Sequence, residues 1–160
     1  MDKSRPTANP LETLTTRKAH PTDLWSGGND DRRLNVNVIY TTRSGTLAAL
    51  KLASRLGAHL GVRPKVLMLY AVPYTLPLEQ PAVPVGFLEE QIHALTAESP
   101  TEITARIYLC RDPQRSLRQI LQPPSLIVMG GKQRWWPTKE QRWARMLKKD
   151  GQEVIFVDQA

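Results

Sequence analysis

From Leu34 onward the apolar positions change period repeatedly, with short β-rich runs separated by stretches of helical spacing. The runs predict strands over Asn35–Thr41, Lys65–Val72, Glu102–Cys110, Leu126–Met129 and Glu153–Val157. Four helices are predicted between them. In the first, Gly45–Leu60, the residues Leu47, Leu50, Ala53, Leu56 and Leu60 recur at three- and four-residue steps, and Gly61 and Pro64 stop it. The second covers Val85–Ala97, with Phe87, Leu88, Ile92 and Leu95 on one side. The third, Pro113–Leu121, has Asp112 as its N-cap and Pro113 at its first position, and Pro123 and Pro124 end it. The fourth covers Pro137–Lys149 and is closed by Gly151.

Strand and helix therefore alternate, and runs such as Val66-Leu67-Met68-Leu69 and Leu126-Ile127-Val128-Met129 are apolar without alternation. Such runs suit strands covered on both faces. Right-handed crossovers then predict an α/β fold: a five-stranded, doubly wound parallel sheet in the order 3-2-1-4-5, with helices on both faces. In that order the chain reverses direction between the first and fourth predicted strands. A ligand crevice is expected at the carboxyl ends of those strands. This rule nominates Thr41, Thr42, Arg43 and Ser44 after the first strand, and Gly130, Gly131 and Lys132 after the fourth. Residues 1–34 hold Pro6, Pro10, Pro21, Gly27 and Gly28 with mixed charges and scattered apolar positions, which predicts a flexible N-terminal arm that Leu24 and Trp25 could anchor. The domain proper is expected over residues 35–160.

Four segments resemble the universal stress protein family. Thr46-Leu47-Ala48-Ala49-Leu50-Lys51-Leu52-Ala53-Ser54-Arg55-Leu56-Gly57-Ala58-His59-Leu60 is similar to that family's first helix, and Leu69-Tyr70-Ala71-Val72 to the end of its second strand. Asp112-Pro113 with Leu117 and Ile120 resembles the turn before its third helix, and Leu126-Ile127-Val128-Met129-Gly130 its fourth strand. The resemblance implies a nucleotide-binding fold and adds Val72 and Arg111 to the candidate ligand positions. Members of the family that bind ATP carry an acidic residue where this chain has Thr41, and a glycine motif after the fourth strand. Here the motif is degenerate: Gly130 is kept, but Gln133 and Trp143-Ala144, or Glu140-Gln141, fall where the remaining glycines and hydroxyl belong. Conventional ATP binding is therefore not expected, although a positive crevice of Arg43, Arg111 and Lys132 could hold an anion, ATP or AMP in another pose included. The family's fifth strand commonly pairs across a dimer, and Val154-Ile155-Phe156-Val157 is an apolar edge strand that suits a homodimer.

The 22 Lys and Arg exceed the 15 Asp and Glu, giving a net charge of +7. Six of those seven charges come from residues 132–149, where Lys132, Arg134, Lys139, Arg142, Arg145, Lys148 and Lys149 face Glu140 alone. Projected on a helix, Trp136, Trp143, Met146 and Leu147 share one side, which would pack on the sheet, and Arg142, Arg145 and Lys149 share another. That cationic side is read first as the solvated face of an amphipathic helix; the alternative is an anion-facing patch that, with its tryptophans, suits nucleic acid or an acidic partner. A single cysteine excludes an internal disulfide and a Cys-based zinc finger. The start lacks a secretory leader and the longest apolar run, Val66–Val72, is far below the roughly 20 residues that span a bilayer, so a cytoplasmic chain without a membrane span is expected. His20, His59 and His93 have no metal-ligand spacing, and no GxSxG elbow or Walker loop occurs. Cys110 beside Arg111 is read as a buried strand-end residue rather than a nucleophile. The proline-rich stretch from Pro73 to Pro84 is read as a plain connector on the crevice side of the sheet; the alternative is a rigid wall or lid with Tyr74 as a stacking surface. The expected function is thus a non-catalytic binding or regulatory domain. Two alternatives stand beside it: a regulator that binds ATP or AMP, and a binder of nucleic acid or an acidic partner.

Overall fold

In the computed structural model, residues 11–16, 35–121 and 125–159 are described. The elements follow one another as β1 (Leu11–Thr16), β2 (Asn35–Ile39), α1 (Arg43–Leu60), β3 (Lys65–Ala71), α2 (Val85–Glu98), β4 (Thr104–Cys110), α3 (Pro113–Ile120), β5 (Ser125–Gly131), α4 (Lys139–Lys149) and β6 (Glu153–Asp158). The sheet order is β1-β4-β3-β2-β5-β6. Without β1 it is the five-stranded parallel sheet predicted from the apolar pattern, in the predicted order, with each helix between the expected strands.

β1 is a sixth strand that the apolar pattern did not mark. It lies within the segment read as a flexible arm and pairs antiparallel with β4, from Leu11 opposite Leu109 to Thr16 opposite Thr104. It thereby covers the β4 edge, whose N–H and C=O groups would otherwise be unpaired on that side. Leu24, Trp25 and His20, with most of the arm, and the Pro123-Pro124 stop lie outside the described residues.

The strands are apolar on both faces because helices cover both. Val36, Val38, Val66, Met68, Ala105, Ile107, Leu126 and Val128 belong to one core layer with Ala49, Leu50 and Ala53 of α1 and Leu88, Ile92 and Leu95 of α2. The alternate strand positions Ile39, Leu67, Tyr108, Ile127 and Met129 form the second layer with Leu117 of α3 and Trp143, Ala144 and Leu147 of α4. Every residue of β5 is buried, which is why it reads as an unbroken apolar run.

Helix ends follow local chemistry. The Thr42 hydroxyl accepts from the Gly45 N–H at 3.1 Å, and Gly61, at φ 69°, ends α1 in the left-handed conformation that favours glycine. Asp112 caps α3 through the Arg115 N–H at 3.2 Å. α4 starts later than its apolar spacing predicts, because Thr138 and Gln141 form a reciprocal capping box that fixes Lys139 as its first residue. Trp136 therefore precedes the helix instead of packing on the sheet with Trp143, and is 78% exposed.

Candidate functional site

Parallel pairing brings β2, β3, β4 and β5 to a common carboxyl edge, where the residues nominated from the sequence lie. At the predicted reversal point, between β2 and β5, the structure is closed. β5 does not end at Met129 but continues through Gly130 and Gly131, which pair with Val157 and Asp158 of β6. The first turn of α1 rests directly on it: a Cβ added to Gly130 would lie 1.9 Å from the Gly45 carbonyl oxygen, and one added to Gly45 would lie 2.7 Å from the Gly130 carbonyl oxygen. Both positions require bare backbone for this close approach. The Thr41 hydroxyl closes the gap further by donating to the Gly130 carbonyl at 2.6 Å, while the Thr46 hydroxyl accepts from the Thr41 N–H at 3.1 Å. Gly131 faces the Phe156 ring, which a Cβ there would approach to 3.1 Å.

The cations nominated for the crevice are directed elsewhere. Arg43 pairs with Glu98 at the end of α2. Arg111 donates to the Val72 carbonyl at 3.2 Å and to that of Pro73, and its guanidinium lies 5.3 Å from the Tyr74 ring centroid. Lys132 is exposed beyond β5. Thr42 is occupied as the α1 cap, Ser44 is exposed, and Val72 is buried in the core with its N–H donating to the Cys110 carbonyl at 2.8 Å. Of the nominated residues, Thr41 lines a cleft at this edge.

That cavity is displaced by one strand from the expected position. A cleft of about 230 Å³ opens over the carboxyl ends of β2 and β3. Its walls include Tyr40, Tyr70, Phe87 and Trp143, with Thr41, Gln91, Lys139 and Glu140 as polar groups. Four aromatic side chains give it flat apolar surfaces, and the polar groups can orient what enters. Burial holds the Tyr40 hydroxyl above its ordinary pKa range, partly offset by the Arg43 guanidinium, so it stays protonated through neutral pH. Lys139 lies 4.7 Å over the Trp143 ring, joining a cation to the cleft's aromatic wall. These residues had no common signature in the sequence, because they come from two strand ends and two helices on opposite faces of the sheet.

Cys110 is fully buried, with its thiol 3.7 Å from the Tyr70 carbonyl. Burial pushes its pKa up, with Asp112 adding to the rise and the Ser116 hydrogen bond and Lys139 opposing it. Arg111 does not activate it. We expect slow modification of the native chain by an aromatic disulfide at neutral pH and fast modification after denaturation; fast native reaction would contradict the burial. The folded chain keeps this proton where the unfolded chain has released it. Stability therefore falls as the pH rises through the ordinary thiol pKa toward the raised one, and is untouched by this group below that window. His59 and His93 are exposed, and among the described residues no group of three or more His, Cys, Asp or Glu is placed to hold a metal. Among the same residues no helix is long and apolar enough to cross a membrane.

The solved structure of a universal stress protein from Archaeoglobus fulgidus shares this architecture, with a TM-score of 0.52 over 78% of this chain and 93% of that one. The fold is that of a universal stress protein. At 13% sequence identity the likeness is one of fold. A second solved structure, a universal stress protein in complex with cAMP, covers 80% of this chain and 99% of its own at 16% identity and a TM-score of 0.48. No family model matches the sequence, and no curated protein matches it. In open α/β sheets generally, ligands bind at the carboxyl edge that the strand order nominates. In this chain that edge is shut at Gly130 and open over Tyr40 and Tyr70.

Proposed function

We propose that the chain is a universal stress protein-like domain that acts by binding and association, without catalysis, and that its cleft accepts a small planar group rather than a nucleoside triphosphate. The observation that carries this reading is the backbone contact between Gly45 and Gly130. Nucleotide phosphates are commonly held by exposed N–H groups at a helix N-terminus or glycine loop. Here the Gly45 N–H is capped by Thr42, and Gly130 and Gly131 are engaged as strand residues. The cleft is also smaller than the roughly 300–1,000 Å³ usual for ligand pockets, which suits a fragment the size of one aromatic ring system.

Equilibrium dialysis and calorimetry with ATP and AMP, with magnesium present, test the proposal. No heat and no retention are expected at millimolar nucleotide. Stoichiometric retention of either would overturn it in favour of a nucleotide-responsive regulator.

Association is proposed through β6. Val154 and Phe156 pack on one core layer and Ile155 and Val157 on the other, so their side chains are already largely engaged within the chain. The outer backbone edge of β6 has no strand beside it among the described residues. A second copy pairing there would satisfy it. Sedimentation velocity at micromolar concentration should show a dimer. A monomer throughout that range would remove this part of the proposal.

A further inference from the structure

Trp135 and Trp136 are 93% and 78% exposed, side by side in the loop between β5 and α4. A chain that buries Trp143 to 5% exposure has left two larger apolar surfaces in water at adjacent positions, where a partner is the usual reason. Their surroundings are cationic. Lys132 and Arg134 precede them, Lys139 follows, and Arg142, Arg145, Lys148 and Lys149 continue along the exposed positions of α4. None of these cations forms an ion pair among the described residues, whereas Arg43, Arg63 and Arg118 do, with Glu98, Glu102 and Asp150. The single carboxylate of the segment, Glu140, is drawn into the cleft wall.

We propose that this loop and the outer side of α4 bind single-stranded nucleic acid, with Trp135 and Trp136 as stacking platforms for successive bases and the lysines and arginines tracking the phosphates. The inference does not depend on the cleft or on the dimer. Flat indole faces match bases whose own faces are bare, which single strands offer and duplexes do not. An acidic peptide would satisfy the cations and leave the indoles without planar partners. A membrane surface fits less well, because an interfacial helix needs a free apolar face and that of α4 is used up by Trp143, Ala144 and Leu147 in the core. Tyr74, 82% exposed beneath the Arg111 guanidinium after β3, supplies another stacked aromatic on the same carboxyl edge, two strands away in the sheet.

The test is fluorescence anisotropy of labelled oligothymidylate and oligouridylate titrated with the full chain at several salt concentrations. The expected result is saturable binding that weakens linearly in log affinity against log salt. Trp135→Ala and Trp136→Ala should each weaken binding about ten-fold or more, and Arg134→Glu with Arg142→Glu should lower both affinity and salt slope. Both tryptophans are exposed, so unchanged thermal melting of the variants is expected and separates lost stacking from lost folding. Absence of binding at low salt overturns the proposal. So does binding undiminished in folded tryptophan variants, equal binding of duplex or polyglutamate, or a preference for phosphatidylserine vesicles.

Discussion

Gly130→Ala is expected to destabilise the fold by about 3 kcal/mol or more, at the upper end of what overpacking costs. The new methyl would meet the carbonyl oxygen, carbonyl carbon and Cα of Gly45 at 1.9, 2.6 and 3.1 Å. All three are backbone atoms of a capped helix terminus, so no side-chain rotation relieves the clash. Either α1 lifts from β5 or the β5–β6 ladder shifts, and both loosen the two core layers. Gly86→Ala is the matched control. Gly86 lies in the first turn of α2, where an added Cβ meets nothing within 4 Å, and alanine there should stabilise by about 0.5–1 kcal/mol through its better helix propensity. Urea unfolding of the two variants checks the sign difference. Wild-type stability in Gly130→Ala would show that α1 and β5 do not touch as described.

Trp143→Ala is expected to cost about 3–5 kcal/mol, since it removes a 5% exposed indole from the layer formed with Ile127, Met129 and Leu147. Trp135→Ala and Trp136→Ala should each stay within about 0.5 kcal/mol of wild type, because both side chains are already in water. Thermal or urea unfolding of the three variants tests the contrast. A similar loss in all three would mean that the loop tryptophans are packed. Trp143 also walls the cleft and carries Lys139 against its ring, so the same variant removes one face of the cleft that Thr41 lines.

Much of this architecture was legible because burial on both faces leaves an unmistakable apolar run, as in Leu126 to Met129, and because Gly61, Asp112 and Gly151 punctuate the helices between such runs. β1 was not legible for the opposite reason. Leu11 to Thr16 is short and largely polar, and it is held by ladder hydrogen bonds to β4, which composition does not register. Trp136 was misplaced by projecting a helical face past its true start, and the Thr138 capping box decides that start by hydrogen bonding rather than by apolar period. The carboxyl edge was legible, and the contacts made there were not. Strand order located the carboxyl edge, and Thr41 and Gly130 do meet there at 2.6 Å. Sequence could not show that they bond to each other, nor that Arg43 and Arg111 spend their charge on Glu98 and on the Val72 and Pro73 carbonyls. The Thr41–Gly130 bond depends on the separation of α1 from β5, and the arginine contacts on which loops and helix ends lie beside them, tertiary quantities that composition and period do not specify.

The most direct test of the closed crevice is a crystal structure of the chain soaked with ATP and magnesium. Its electron density should be continuous backbone packing between Gly45 and Gly130, with no phosphate between them. Phosphoryl groups seated against the Gly45 N–H, with α1 drawn away from β5, would contradict the account.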